Sequence, residues 1–477
     1  MSYPNWLSQR AHLSGSRMAL SFGERQWTFS EINEIALDYA GRLNRLGISP
    51  DSRVAILAKS NPESVFVMYA CLHAGFEMVM LNERLSAAEL DYQLEDSTAS
   101  HLLVDEELQG KIEFDNKIRF SDIRNTATAE FKPAGEWPED RTISIMYTSG
   151  TTGYPKGVRQ TAQNHFSSAV SSALNIGISP GDVWLCVMPL FHISGFSILM
   201  RSLIYGMGVQ LHPKFDAAVC AEQLNQGTVT HMSVVAVTLE RVLHELETKG
   251  LEVSADFKSM LGGGGPVPVS YIERAEKFGI SVLQTYGMTE TSSQTTTLQA
   301  GDAKRKIGSS GKPLFLYQIR IGENEAAGEK GEIQIRGPQV TPGYIGKYAD
   351  RQVRQDGWFH TGDIGFLDDE GFLFVVDRRS DLIVSGGENI YPAEIEKVLL
   401  GHPAVREAGV CGMPDEKWGE VPAAFIVLAE EVPKEKLTEF LRKQLAGYKI
   451  PKHIHFVESL PRNASNKVLR RELKSWV

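Results

Sequence analysis

The sequence predicts an α/β protein in two unequal parts, on three observations. Apolar strand-like runs alternate with amphipathic helical runs from Thr28 to Phe278, the pattern of largely parallel sheets covered by helices on both faces. After about Gly308 the runs shorten and alternate, as in Glu332-Ile333-Gln334-Ile335-Arg336 and Phe372-Leu373-Phe374-Val375-Val376, which predicts a mainly β subdomain. The charged, turn-forming cluster Asp377-Arg378-Arg379-Ser380-Asp381 then interrupts this pattern, and a compact α+β stretch rich in Lys and Glu follows. The domain boundary is therefore placed at 378–381, between a large N-terminal domain (1–377) and a small C-terminal domain (382–477).

Each element has a local reason. Thr28-Phe29-Ser30-Glu31 reads as a capping box, and Ile32, Ile35, Ala36, Tyr39, Leu43 and Leu46 continue it as an amphipathic helix that stops at Gly47. Arg53 to Ala58 is a buried strand, Asn61 and Pro62 supply the cap and first residue of the next helix, and Glu77 to Leu81 is another strand. Further strands are expected at His101 to Val104, Ile143 to Met146 and Val183 to Val187. Helices are expected around Asn164 to Asn175, Ser197 to Tyr205, Val234 to Glu247 and Val269 to Phe278.

Composition narrows the function. A chain of 477 residues exceeds the size at which single cores stop growing. With 42% hydrophobic and 23% charged residues it is an ordinary globular composition, and the net charge of −10 gives no general attraction to nucleic acid or anionic membrane. Any anionic substrate must be met by local cations. Cys71, Cys186, Cys220 and Cys411 lack C-x-x-C spacing, which argues against a disulfide framework or a cysteine-rich zinc site and fits a reducing cytoplasm. The start of the chain lacks a basic segment leading into an apolar one, so no signal peptide is expected. The run Val65 to Leu81 is too short, and too interrupted by His73, Gly75 and Glu77, to span a membrane. Oligomeric state, including a homo-oligomer, is left open.

The densest chemistry lies in Tyr147 to Gly157, Y-T-S-G-T-T-G-Y-P-K-G, directly after a strand-like run. Small residues let backbone N–H groups approach phosphate oxygens, hydroxyls add donors, and Lys156 offsets charge, so Thr148, Ser149, Gly150, Thr151, Thr152 and Lys156 read as a phosphate-holding loop. It is not the NTPase P-loop, because Pro155 precedes and Gly157 follows the lysine. Taken alone, such a cluster would more often be a flexible surface loop. Leu261 to Pro266 offers Gly263, Gly264, Gly265 and Pro266, where missing side chains let a planar ring lie on backbone. In Thr285 to Glu290, Tyr286 can stack on such a ring, Thr289 can bond a phosphate, and Glu290 can hold Mg²⁺, a hard cation that prefers oxygen.

Together with Pro189-Leu190-Phe191-His192-Ile193-Ser194-Gly195, Thr361-Gly362-Asp363, Ser385-Gly386-Gly387 and Pro461-Arg462-Asn463-Ala464-Ser465-Asn466-Lys467, these motifs resemble, in order and over essentially the whole chain, the adenylate-forming superfamily of acyl-CoA synthetases, luciferases and peptide-synthetase adenylation domains. The resemblance implies ATP, Mg²⁺ and coenzyme A as ligands. It assigns Gly263 to Pro266 and Tyr286 to adenine, Asp363 and Arg378 to the ribose, and Thr289, Glu290, His192 and Lys467 to catalysis. His192 would wall the acyl pocket, with Ser194 and Gly287 also at the acyl substrate. It makes the C-terminal domain mobile about Ser380, and opens a pantetheine path past Gly386 and Gly387. Ser380 departs from the commoner Asp or Lys, and the unbroken glycines of 262–265 depart from the usual Ser or Ala.

Within the superfamily, Gln160 to Ile178, the Pro189 motif with Arg201 after it, D-R-R-S-D-L-I-V-S-G-G-E-N-I-Y-P-A-E and P-R-N-A-S-N-K resemble the o-succinylbenzoate–CoA ligases of bacterial menaquinone synthesis. Their substrate has a second carboxylate, and burying it unpaired is costly. Arg201, about two and a half helical turns beyond His192, is the candidate partner, against the alternative of a surface arginine. Other aryl- or fatty-acyl-CoA synthetases, and an adenylation enzyme that loads a separate carrier protein, stay open. A non-catalytic nucleotide sensor is disfavoured because Lys467, Glu290 and Asp363 are all present.

Overall fold

Thr28 starts the first long helix, Phe29–Arg45, by the expected reciprocal cap: its hydroxyl accepts from the Glu31 N–H while the Glu31 carboxylate accepts from the Thr28 N–H at 2.7 Å. This is a computed structural model, and it describes residues 2–148, 154–265, 267–322, 326–378, 381–385, 388–415, 418–445, 447–463 and 467–476.

Two mostly parallel sheets form the large domain. The first has six strands, in the order Lys156–Thr161, Thr142–Thr148, Glu77–Leu81, Arg53–Leu57, His101–Val104 and Lys117–Arg119, parallel except for the first pair. The second has nine, with Val282–Met288, Ser259–Gly262, His231–Val234, Val183–Cys186, Gly208–Leu211 and Met18–Phe22 as its parallel centre. The helix Pro62–Ala74 has buried apolar residues all round, from Val65 and Phe66 to Leu72 and Ala74. It joins one core with Val54 and Met78 of the first sheet and Cys186 and Leu283 of the second. A helix apolar on every face must be buried, so the run Val65 to Leu81 is a core helix plus a strand. Among the described residues, no helix is long and apolar enough to cross a membrane.

The β subdomain is an antiparallel sheet of Gln318–Ile321, Gly331–Arg336, Trp358–Leu367, Arg354–Gln355 and Leu373–Arg378, with its own core around Ile333, Ile335 and Phe359. Ile383–Ser385 already belongs to another sheet, shared with Glu388–Ile390, Gly419–Leu428, Val405–Asp415 and His453–Phe456. The change of sheet thus falls between Arg378 and Ile383. All four cysteines are buried free thiols.

Three features differ from the sequence reading. A strand absent from the sequence reading, Lys156–Thr161, returns antiparallel to Thr142–Thr148 before the helix Ala162–Ile176 begins. Asp363, which in the sequence closes the strand-like run from Trp358, lies in the middle of the strand Trp358–Leu367, opposite Arg378. Helices Trp6–Ser14, Ala87–Ser97 and Ala217–Gln226 had drawn no expectation, although Ser86 and Glu89 form a capping box for the second.

Candidate active site

The carboxyl ends of the parallel strands open into one cavity of about 1470 Å³, the place where α/β sheets present ligands. Of the residues singled out from sequence, it gathers Thr148, Lys156, His192, Ser194, Arg201, Gly263, Gly264, Gly287, Thr289, Glu290, Asp363 and Lys467. Ser149, Gly150, Thr151, Thr152, Pro266, Ser380, Gly386 and Gly387 lie outside the described residues, and of Arg378 only the backbone is described. Tyr286 and Gly265 are not among the lining residues. The Tyr286 ring packs on the β subdomain core and its hydroxyl donates to Asp363 Oδ2 at 2.8 Å, so it orders that carboxylate.

Backbone geometry sets two of these positions. A Cβ at Gly287 would sit 1.8 Å from the Ser293 carbonyl oxygen, so only glycine lets the strand Val282–Met288 approach its returning partner there. Gly264 has φ +78°, and a Cβ built on it would lie 3.9 Å from Lys467 Cε. Lys467, on the C-terminal part of the chain, therefore lies over the glycine loop of the large domain. Its own segment is fixed by Asn463, whose Oδ1 accepts from the Lys467 N–H at 2.9 Å and whose N–H donates to the Lys467 carbonyl at 2.8 Å. Three positions on, Arg470 bonds Glu396 at 2.7 and 2.9 Å, Asp377 at 2.7 Å and Asp381 at 2.9 Å. Burial opposes its charge, but Glu396 and Asp377 hold it well above the ordinary guanidinium value.

The Lys156 ammonium lies 5.6 Å from the ring centres of both Tyr344 and Tyr348. The Tyr344 hydroxyl donates to Glu290 Oε1 at 3.3 Å, and the Glu290 carbonyl accepts from Thr341. Glu290 offers one carboxylate, and no group of three or more His, Cys, Asp or Glu is placed to hold a metal among the described residues. That donor set fits Mg²⁺, which binds through one or two carboxylates and substrate phosphates and keeps several waters.

Arg201 is only 2% exposed, which corrects the surface alternative. One amine, Nη2, donates to Gln294 Oε1 at 3.0 Å and Ser293 Oγ at 3.3 Å, and the guanidinium lies 5.2 Å from the Trp184 ring centre. Nε has no hydrogen-bond partner, and no carboxylate pairs with Arg201 among the described residues. Burial lowers its pKa, yet a guanidinium stays charged in proteins. His192 sits at the start of the helix Ile193–Tyr205, with its ring 4.6 Å from that of Phe191.

Sequence reasoning missed Gln160, which is fully buried in the returning strand of the hairpin. Its Nε2 donates to the Thr289 carbonyl at 2.8 Å and its Oε1 accepts from Ser144 at 2.7 Å, tying the first sheet to the turn that carries Thr289 and Glu290. His165 lies 2.9 Å from the same Ser144 hydroxyl, and burial pushes its imidazole down to about 3, so it is neutral at working pH.

The family model described as AMP-binding enzyme matches residues 7–345, and that of the AMP-binding enzyme C-terminal domain matches 394–467. The chain belongs to the AMP-binding enzyme family. This AMP-binding enzyme is 47% identical over 479 residues to the 2-succinylbenzoate–CoA ligase of Bacillus cereus strain Q1, covering 99% of this chain and 98% of that one. Its fold matches o-succinylbenzoate CoA synthetase (MenE) from Bacillus subtilis in complex with the acyl-adenylate intermediate OSB-AMP, at TM-score 0.93, 44% identity and 99% and 98% coverage. The same enzyme with ATP and magnesium ion gives TM-score 0.92, 43% identity and 99% and 100% coverage. A double mutant of it bound with the product analogue OSB-NCoA gives only 0.76, again at 44% identity, with 100% and 98% coverage. At equal identity, the fold of this AMP-binding enzyme therefore matches the acyl-adenylate complex more closely than the product-analogue complex.

Proposed function

We propose that this AMP-binding enzyme is a 2-succinylbenzoate–CoA ligase of menaquinone biosynthesis, acting in a reducing cytoplasm. The observation that carries the substrate assignment is Arg201, a buried cation in the cavity wall with neutral protein partners. An unpaired buried charge is costly, and a substrate with a second carboxylate supplies the missing counter-ion.

In the first step a substrate carboxylate attacks the α-phosphate of ATP and pyrophosphate leaves; in the second the CoA thiol displaces AMP. Lys156 and the Thr148 to Thr152 loop hold the phosphates. Asp363, ordered by Tyr286, takes the ribose hydroxyls with Arg378, and the glycine loop lies along adenine. Charge accumulates around phosphorus during attack, and Lys467 and Thr289 meet it with fixed donors in a site partly closed to water. Glu290 would hold Mg²⁺, which when bound offsets phosphate charge. His192, Ser194 and Gly287 shape the space between nucleotide and acid. The C-terminal domain then turns about 378–381, withdrawing Lys467 and bringing Gly386 and Gly387 to the pantetheine path.

A panel of acids assayed for ATP- and CoA-dependent AMP release tests the assignment. o-Succinylbenzoate should be turned over far better than benzoate or a medium-chain fatty acid; equal or better turnover of either simpler acid overturns it.

A further inference from the structure

The stretch Gln160 to Ile178 carries much of the sequence likeness, yet most of it has no role in the chemistry above. Its helix, Ala162–Ile176, turns a row of buried hydroxyls toward the segment that follows Glu290. Ser168 Oγ donates to the Ser292 carbonyl at 2.6 Å, and Ser172 Oγ donates to Gln294 Oε1 at 2.6 Å. The segment needs such support, because Ser292 and Ser293 have φ of +52° and +105°, a conformation that non-glycine residues hold only when their surroundings impose it.

Gln294, 4% exposed, is the last link. Oε1 receives both the Ser172 hydroxyl and Arg201 Nη2, while Nε2 donates to Thr297 Oγ1 at 3.2 Å. Arginine can only donate, so the oxygen must face Arg201 and the amide orientation is settled by chemistry. A glutamine here fixes the direction of the guanidinium without neutralising it. A glutamate of the same shape would hold it too, but would supply the counter-ion that the cavity otherwise takes from its substrate.

We propose that Gln294, held by Ser172, is the positioning residue that keeps Arg201 aimed and uncompensated, and so makes the site select acids with a second carboxylate. This rests on the reading of Arg201 as the partner of that carboxylate. The full-length enzyme carrying Gln294→Glu, Gln294→Leu or Arg201→Ala would be assayed with o-succinylbenzoate and with its two mono-acid analogues, each lacking one carboxylate, the one that wild type turns over serving as reference. Gln294→Glu should lower the preference for the diacid, as a ratio of kcat/KM values, by about tenfold to a hundredfold, the worth of a charged hydrogen bond. The loss should fall on KM for the diacid, with kcat recovered at saturation. Gln294→Leu should give a smaller loss of the same kind, and Gln294→Glu should cost no further preference once Arg201 is Ala. If Arg201→Ala leaves the preference intact, the Arg201 reading itself fails. If Arg201→Ala removes the preference while Gln294→Glu retains it, or lowers both acids by one factor, Gln294 is structural and the inference is overturned.

Discussion

Replacing Lys467 with Ala should slow pyrophosphate release by at least about a hundredfold to a thousandfold, the scale seen when one preorganised donor to a developing charge is removed. The geometry behind this number is the approach of Lys467 to Gly264, which brings the ammonium into the cavity from the C-terminal part of the chain. Lys467 is exposed, so the melting temperature should barely move. Supplied with o-succinylbenzoyl-AMP and CoA, the variant should still form thioester, because that step does not load the lysine. Equal losses in both half-reactions would mean that the lysine holds the architecture and does not stabilise the transfer.

Arg201→Ala should reduce kcat/KM for o-succinylbenzoate by about tenfold to a hundredfold, corresponding to about 1.5–3 kcal/mol for a lost charge-assisted hydrogen bond. Benzoate-like acids, having no second carboxylate, should be little affected. Two effects on the free protein oppose each other. The variant loses bonds to Gln294 and Ser293 and packing on Trp184, but it also loses a buried cation without a counter-ion. The second term offsets the first, so the unliganded protein should lose less stability than a typical buried truncation would cost. Equal loss of both acid types would show that Arg201 supports the wall and that the second carboxylate binds elsewhere.

Elements with a local cause could be read from the sequence. The Thr28–Glu31 cap, the Asn61–Pro62 start and the strand Glu77–Leu81 depend on residues within a few positions, and each stands where expected. The strand Lys156–Thr161 was missed because it buries Gln160, and its stability comes from partners at Ser144 and Thr289 instead of an apolar alternation. Asp363 reads in the sequence as the end of a strand-like run; in the folded chain the strand continues to Leu367, and Gly362, at φ +74°, sits inside it.

The site divides along the same line. Motif residues with distinctive neighbours, such as Lys156, Thr289, Glu290 and Lys467, fall into one cavity although the chain separates the first from the last by most of its length. Arg201 and Gln294 have no motif of their own. They are 93 positions apart, and each acquires meaning only from the other's hydrogen bond. Burial without a counter-ion, the property that marks Arg201, does not exist until the fold forms.

The two-step chemistry on a dicarboxylate is tested most directly by order of addition. Enzyme mixed with ATP, Mg²⁺ and o-succinylbenzoate, without CoA, should release a burst of about one pyrophosphate per active site and hold one acyl-AMP. Adding CoA should convert the acyl-AMP to thioester with release of AMP. Pyrophosphate release that requires CoA from the outset, or formation of ADP and phosphate in place of AMP and pyrophosphate, would contradict the account.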